Sequence, residues 1–400
     1  MQFSLRHLAI RGRKSRSAKE GRRILTQFTE WRGLQRQLPA PIRAGNRLLV
    51  IRLDDIGDYL LFRNQLGMYK KSPRWQRQTV TLLGNASWKD IFLAFDTQAV
   101  DETIWVNKGQ YLTDAAYRWQ IWLELRARGF DTVIAPSRTR PLQLDDLCML
   151  AAAPPHAIGS VNTYVHEDWN QVSDALYETL FQPVDPLIHE FEFNGQFAAW
   201  ICGTRYEGVR PNMDSQIVRP VAGDFILCFV GANTRSKRWP AKRWIEFINL
   251  YGRDSSNRGR SARVVLAGAG KAEVDAAQAI EARTGAENIA GQVSLVELVN
   301  WVAGAAVVVT NDTMAAHMSV SCGRPTVIIA NGVNYTRFTE YDSAGITRVT
   351  TVYPEVFKRK RRKLGEFAYN YEDAVTEDIA SITASEVLAA LDLVRLDLAR

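Results

Sequence analysis

Arg47-Leu48-Leu49-Val50-Ile51-Arg52-Leu53-Asp54-Asp55-Ile56-Gly57-Asp58 is the stretch that decides the fold. A short apolar run of leucine and β-branched residues, bounded by arginines, is the pattern of a strand buried on both faces of a parallel sheet. An acidic turn follows, and Gly57 is expected to supply a free backbone angle there. Tyr59-Leu60-Leu61-Phe62 then begins a helix, with Asp58 at or near its first turn, where a carboxylate is favoured. The unit reads strand, tight loop, helix, with three carboxylates at the C-terminal end of the strand. In open α/β sheets that end is where ligands bind.

The same rhythm continues along the chain. Strands are expected at 79–83, 103–106 and 132–135, and helices at 88–95, 114–128 (closed by Gly129) and 144–153 (stopped by Pro154-Pro155). Residues 160–200 are aromatic-rich and irregular, and the pattern assigns them no element. It breaks at 206–222 and restarts with strands at 225–230, 263–266, 306–310 and 326–329. Pro240 suits the first turn of a helix whose face carries Trp244, Phe247, Ile248 and Tyr251. A further helix starts near Ala272. Ser294 and Glu297 form a capping-box signature for the next, and a short helix runs to Cys322. An amphipathic helix at 385–398 closes the chain. Alternating strands and helices argue mostly parallel sheets. The expected organisation is a basic arm (1–45), a first Rossmann-like domain (46–205), a linker (206–222), a second Rossmann-like domain (223–371) and a helical segment (372–400). The fold class is α/β, with the two domains facing across a cleft.

The 400 residues carry a net charge of +7, unevenly placed. Arg6, Arg11, Arg13, Lys14, Arg16, Lys19, Arg22, Arg23, Arg32, Arg36 and Arg43 precede the first strand, and 358–363 is an unbroken basic run. Such patches can hold a protein on anionic lipid, at about 1 kcal/mol per basic residue. They can also bind nucleic acid, but the run lacks the interleaved aromatics of a single-strand binder. A solvated loop and arm is the plain alternative. Leu25, Phe28, Trp31 and Leu34 follow helical spacing, so part of the arm is expected to pack as an amphipathic helix. No apolar run approaches the roughly 18 residues that span a bilayer, and no signal-peptide core is visible. The expected location is cytoplasmic. Cys148, Cys202, Cys228 and Cys322 lie far apart with no CxxC pair, which reads as reduced, buried thiols. The histidines form no cluster, and no metal is expected.

The chemistry should sit on loops at strand ends. Asn311-Asp312-Thr313 opens a helix directly after a strand, and the free N–H groups and dipole of such a start suit a diphosphate. Asp312 or Thr313 would cap the helix in either case. Lys237 could neutralise the same diphosphate, or stand as a solvated lysine. His317, on an apolar helix, is expected to be buried with a hydrogen-bond partner. Gly268-Ala269-Gly270 lacks the third glycine of a dinucleotide loop, since position 273 is Glu273, and no Walker motif occurs. Asp58 is the candidate general base for a sugar hydroxyl attacking an anomeric carbon. Asp55 beside it, and Arg138 and Arg140 at another strand end, are candidates to hold an acceptor, the arginines by gripping an anionic one.

Several segments together resemble glycosyltransferase family 9, the lipopolysaccharide heptosyltransferases. Arg52-Leu53-Asp54-Asp55-Ile56-Gly57-Asp58 is similar to its N-terminal signature, and Lys237-Arg238-Trp239-Pro240 to its K-x-W-P segment. Asn311-Asp312-Thr313-Met314-Ala315-Ala316-His317, then Gly323-Arg324-Pro325-Thr326, resembles its donor-site block. The residues from Ile382 to Leu391 look like its closing helix. The resemblance runs in order over about 46–395. It implies a GT-B fold and an inverting, metal-independent transfer of a sugar, typically heptose from ADP-heptose, to a lipopolysaccharide core or other cell-surface glycan. It also implies a nucleotide-sugar donor, a glycan or glycolipid acceptor, no cofactor and no nucleic acid. The expected place is peripheral, on an anionic inner face of the inner membrane. By position it implies Asp58 as base, Lys237 on the donor diphosphate, Thr313, Met314, Ala315, Ala316 and His317 as the phosphate-binding helix start, Asp312 beside the donor sugar, and Glu273 near the ribose. The chain departs from the pattern at Met314, where the family usually has glycine, and at Asp54-Asp55, where small residues are commoner. The departure at Met314 motivates a second reading, a degenerate protein that binds nucleotide-sugar or anionic lipid without transfer.

Overall fold

The computed structural model describes residues 16–42, 45–163, 167–185, 187–208, 210–215, 217–257, 263–333, 335–341, 345–360 and 377–396. The start of the basic arm, positions 361–363 of the basic run and 372–376 of the C-terminal segment lie outside the described residues. The first sheet comprises β1 (Arg47–Arg52), β2 (Thr79–Asn85), β3 (Glu102–Val106), β4 (Thr132–Ala135), β5 (His156–Ser160) and β6 (Thr179–Phe181). The second comprises β7 (Ile226–Phe229), β8 (Val264–Ala267), β9 (Glu287–Asn288), β10 (Val307–Asn311), β11 (Thr326–Ile329) and β12 (Val349–Val352). Their orders are β3-β2-β1-β4-β5-β6 and β12-β11-β10-β7-β8-β9, parallel throughout. Counted from its own first strand, each sheet has the same doubly wound order. The winding reverses between β1 and β4 and between β7 and β10, and ligands bind outside the strand ends at such switch points.

The helices of the first half are α1 (Arg16–Leu34), α2 (Ile56–Lys71), α3 (Lys89–Phe95), α4 (Lys108–Thr113), α5 (Ala115–Arg128), α6 (Leu147–Ala152), α7 (Glu167–Asp174) and α8 (Glu190–Cys202). Those of the second are α9 (Ala241–Asn257), α10 (Lys271–Thr284), α11 (Leu295–Gly304), α12 (Met314–Ser321), α13 (Glu355–Lys360) and α14 (Ala384–Leu396). Local chemistry sets many of their ends. Asp114 caps α5 by accepting from Ala116 and Tyr117 N–H at 2.9 and 3.1 Å, and Gly129 closes it at φ 66°. Ser294 and Glu297 form the expected capping box of α11. The helix expected at 144–153 begins instead as a π turn, Leu142–Asp146, ahead of α6.

The unassigned region 160–200 contains α7, β6 and α8, and β5 precedes it without a sequence pattern that marks it. Helix α8 packs against α2. Asn194 on it accepts from the Arg52 guanidinium at 3.1 Å and donates to Leu61 O at 3.2 Å. The arm helix α1 docks on the first sheet domain through Trp31, with Phe28 and Leu34 packed against the core as expected. Ile24, Gln27 and Trp31 are buried and Leu25 is half-buried. Trp31 meets Trp122 edge-on at 5.0 Å, and Arg118 pairs with Glu30 at 2.6 Å.

The two halves share apolar packing. Helix α12 lies against α2, and one cluster runs from Leu60 and Phe62 through Ala315 and Met318 to Phe225 and Val299. That contact brings the loop after β1 opposite the loop after β10.

Candidate active site

Arg52 at the end of β1 is fully buried over the Phe62 ring, 4.7 Å from its centroid. It pairs with Asp54 at 2.8 Å and donates to Asp58 O at 3.4 Å, fixing the turn from below. Asp58 lies in the first turn of α2, and its carboxylate has no hydrogen-bond or ion-pair partner among the described residues. Burial raises its pKa above the ordinary 3.8; Arg337 and Arg52 pull it back, while Glu190 and Asp55 push it further up. Asp55 is exposed and pairs with Lys108 at 2.8 Å.

Gly57 corrects its sequence reading. It sits inside α2 with an ordinary helical backbone, so no free backbone angle is needed. What it provides is close approach: a Cβ there would stand 2.9 Å from His317 Cδ2 and 3.5 Å from Met314 Cα. The missing side chain is what lets α2 touch α12.

On the opposing side, Asn311 ties two strand ends together. It donates to Gly231 O at 3.0 Å and accepts from Trp239 N–H at 3.1 Å. This holds Lys237 next to Asp312, with Nζ 2.7 Å from Oδ2. Thr313 caps α12 by accepting from Ala315 N–H at 3.3 Å, which aims the positive end of the helix dipole at the gap. Ala315 and Ala316 are buried and do not line the gap, whereas Thr313, Met314 and His317 around them do. His317 is buried, its Nδ1 2.5 Å from Tyr341 Oη, and burial lowers its pKa to about 4, so the ring is neutral at pH 7. Glu273 lines the far end of the gap, but Oε2 accepts from Ala269 N–H at 2.7 Å, so that carboxylate oxygen braces its own helix start.

Between these groups lies a cavity of about 550 Å³. Its front wall is Asp55 to Asp58 with Ser87. Its rear wall includes Lys237, Asp312, Thr313, Met314, His317 and Glu273. A second cavity of about 310 Å³ adjoins it on the front domain, lined by Asp54, Lys108, Thr139, Gln143 and Asp145 among others. Asp55 and Asp58 line both. No three His, Cys, Asp or Glu side chains gather as a metal-binding set among the described residues.

Arg138 and Arg140 do not reach either cavity. Arg140 is fully buried, pairing with Asp174 at 2.7 Å and lying over the Tyr177 ring at 4.5 Å. Arg138 lies over Phe193 at 4.5 Å and faces Glu190 at 3.6 Å. A cation at a strand end turns inward when buried carboxylates are there to meet it, and here Asp146, Asp174 and Glu190 do so.

The sequence reading missed Glu190 and Arg337. Glu190, at the start of α8, takes Arg337 from the other domain at 2.9 Å, and Arg337 also reaches Thr139 at 3.3 Å. No local motif marks this pair. His189, next to Glu190, lies 4.4 Å from the Tyr341 ring, so the segment carrying Arg337 and Tyr341 bridges the gap.

Residues 208–351 match the family model described as Glycosyltransferase family 9 (heptosyltransferase). Three solved structures are similar over most of their length. E. coli heptosyltransferase WaaC, solved with ADP-2-deoxy-2-fluoro heptose, shares 16% identity at TM-score 0.64, covering 87% of this chain and 99% of that one. E. coli ADP-heptose lipopolysaccharide heptosyltransferase II shares 18% at 0.59, covering 88% and 100%. A family 9 glycosyltransferase from Veillonella parvula shares 16% at 0.64, covering 90% and 100%. At such identities the likeness establishes the fold. No curated protein matches the chain. The motif block of the second half thus lies inside a segment similar to glycosyltransferase family 9, and the two facing sheets around it have the GT-B form.

Proposed function

We propose that the protein transfers a sugar with inversion from a nucleoside diphosphate donor, ADP-heptose by preference, to a hydroxyl of a lipopolysaccharide-core or other cell-surface glycan. Residues 46–205 would form the acceptor domain and 223–371 the donor domain, joined by 206–222. The observation that carries this reading is the placement of Asp58. Its unpartnered carboxylate lies on both cavities, and one of them holds a lysine and a helix start suited to a diphosphate. Asp58 takes the proton of the acceptor hydroxyl. The hydroxyl oxygen bonds to the anomeric carbon, and the bond from that carbon to the diphosphate oxygen breaks. The nucleoside diphosphate leaves with the electron pair, its charge met by Lys237 and the start of α12. Those two supply positive charge without a metal, so transfer is expected to persist in a chelator.

Asp312 orients Lys237 and borders the sugar site, while Glu273 lies where a ribose would reach. Arg32 and Arg36 on the outward side of the arm are exposed, which supports a peripheral place on an anionic cytoplasmic membrane face. No described helix is long and apolar enough to cross a membrane.

A thermal-shift panel of nucleoside diphosphates and nucleotide sugars tests the donor. A ligand at 100 times its Kd adds about 2.7 kcal/mol of stability. ADP and ADP-heptose are expected to raise Tm most, and ADP-heptose to be consumed with inversion when a glycan is added. No shift with any nucleoside diphosphate would overturn the reading.

A further inference from the structure

The second cavity differs in charge from what an anionic acceptor needs. Its walls carry Asp54, Asp55, Asp58 and Asp145, and its lysine, Lys108, is already paired with Asp55 at 2.8 Å. Asp54 is met from behind by Arg52. Asp145 is different. It is 2% exposed, it lines the cavity, and its carboxylate makes no hydrogen bond or ion pair among the described residues. An unpaired carboxylate held this deep is costly unless a ligand brings it a donor. Gln143, 3% exposed on the same wall, has its Oε1 without a partner. The arginines that could have offset these charges, Arg138 and Arg140, are turned away into buried ion pairs.

We propose that this cavity is the acceptor subsite and that it selects a sugar unit rich in hydrogen-bond donors and free of anionic groups, with Asp145 as the residue that sets this preference. A phosphate or carboxylate on the accepting unit would meet several carboxylates in a confined space, where like charges repel strongly. Hydroxyls, or an ammonium group on an amino sugar, supply what Asp145 lacks. The adjoining Asp58 then stands beside the bound hydroxyl. The inference rests on the proposed transfer reaction, which it narrows to one class of acceptor.

The test is calorimetric binding to the full-length protein, with ADP present, of methyl hexopyranosides of gluco, galacto and manno configuration. Each is used as the neutral sugar, as its 2-amino form and as its 6-phosphate. The neutral or amino forms are expected to bind at least about tenfold more tightly than the phosphates. A gain of the amino over the neutral form assigns the preference to charge pairing, and equality assigns it to hydrogen bonding; both support the subsite. Equal or tighter binding of the phosphates overturns the proposal, and so does binding of none of the sugars while ADP still binds. Absence of ADP binding would instead strike the transfer reading. Asp145→Asn, checked for folding by its melting curve, is expected to reduce the discrimination against phosphates by about tenfold. An unchanged ratio would remove Asp145 from the role. Should that variant melt early, Gln143→Lys, which adds a cation to the same wall, is expected to shift preference toward the phosphates. No such shift would count equally against the proposal.

Discussion

Asp145 and Glu190 are both buried carboxylates, and their surroundings move them in opposite directions. Burial raises the Asp145 carboxyl to about 7 and Asp146 adds to it, against the weaker pull of Lys108, Arg140 and Arg52. Its stabilising contribution is therefore full below the ordinary value of 3.8 and is lost as pH rises through about 7. Asp145→Asn is expected to be more stable than the parent above pH 7, by an amount on the order of a few kcal/mol, with the difference vanishing near pH 4. Denaturant melts across that range check it. For Glu190 burial again pushes upward, but Arg337, Arg138 and Arg52 outweigh it and hold the carboxyl at about 2. Its contribution is present above 4.5 and is lost as pH falls toward 2. Glu190→Gln leaves three arginines without their shared counter-ion. It should cost about 3–5 kcal/mol at pH 7 and little at pH 2. Equal stability of the two proteins at pH 7 would contradict that. Arg337 and Glu190 were invisible in the sequence because they lie 147 positions apart and neither sits in a motif. Arg140 misled for a related reason, since its position at a strand end says nothing of the Asp174 carboxylate waiting inside.

Elements with a strong local cause could be read directly from the chain. β7 is a continuous apolar run, β1 holds one between its two arginines and β4 one after Thr132. The starts of α5 and α11 are written in Asp114 and Ser294, and the end of α5 in Gly129. Helix α8 was missed although it is strongly apolar: both its faces are buried, so no amphipathic period marks it. The two-residue β9 and the half-buried β12 are too short or too mixed to signal themselves. Gly57 was legible as a glycine but not in its purpose, because only the packed pair α2 and α12 shows what a side chain would strike. Gly57→Ala must displace His317 or part the helices. The expected cost is about 1–3 kcal/mol in stability, with a matching drop in turnover as the two walls separate. Unchanged Tm and unchanged activity would show that α2 and α12 are not held this close.

At the scale of the whole molecule, two sheets of identical winding order put their switch points face to face. One side brings a carboxylate, the other a lysine and a helix start. Packing through Leu60, Ala315 and Met318, and the Glu190–Arg337 pair, keep the two sides together. As the proposed base, Asp58 must be ionised to act, so the acid limb of kcat/KM is expected above the ordinary carboxylate value of 3.8, following the upward shift at that residue. The most direct measurement compares Asp58→Asn with the parent protein on the same nucleotide sugar and acceptor, with ADP binding followed in parallel. Turnover is expected to fall by about 10²–10⁴ while ADP still binds. Near-normal turnover in Asp58→Asn would contradict the assignment of this carboxylate as the base and, with it, the facing of front carboxylate and rear diphosphate cradle.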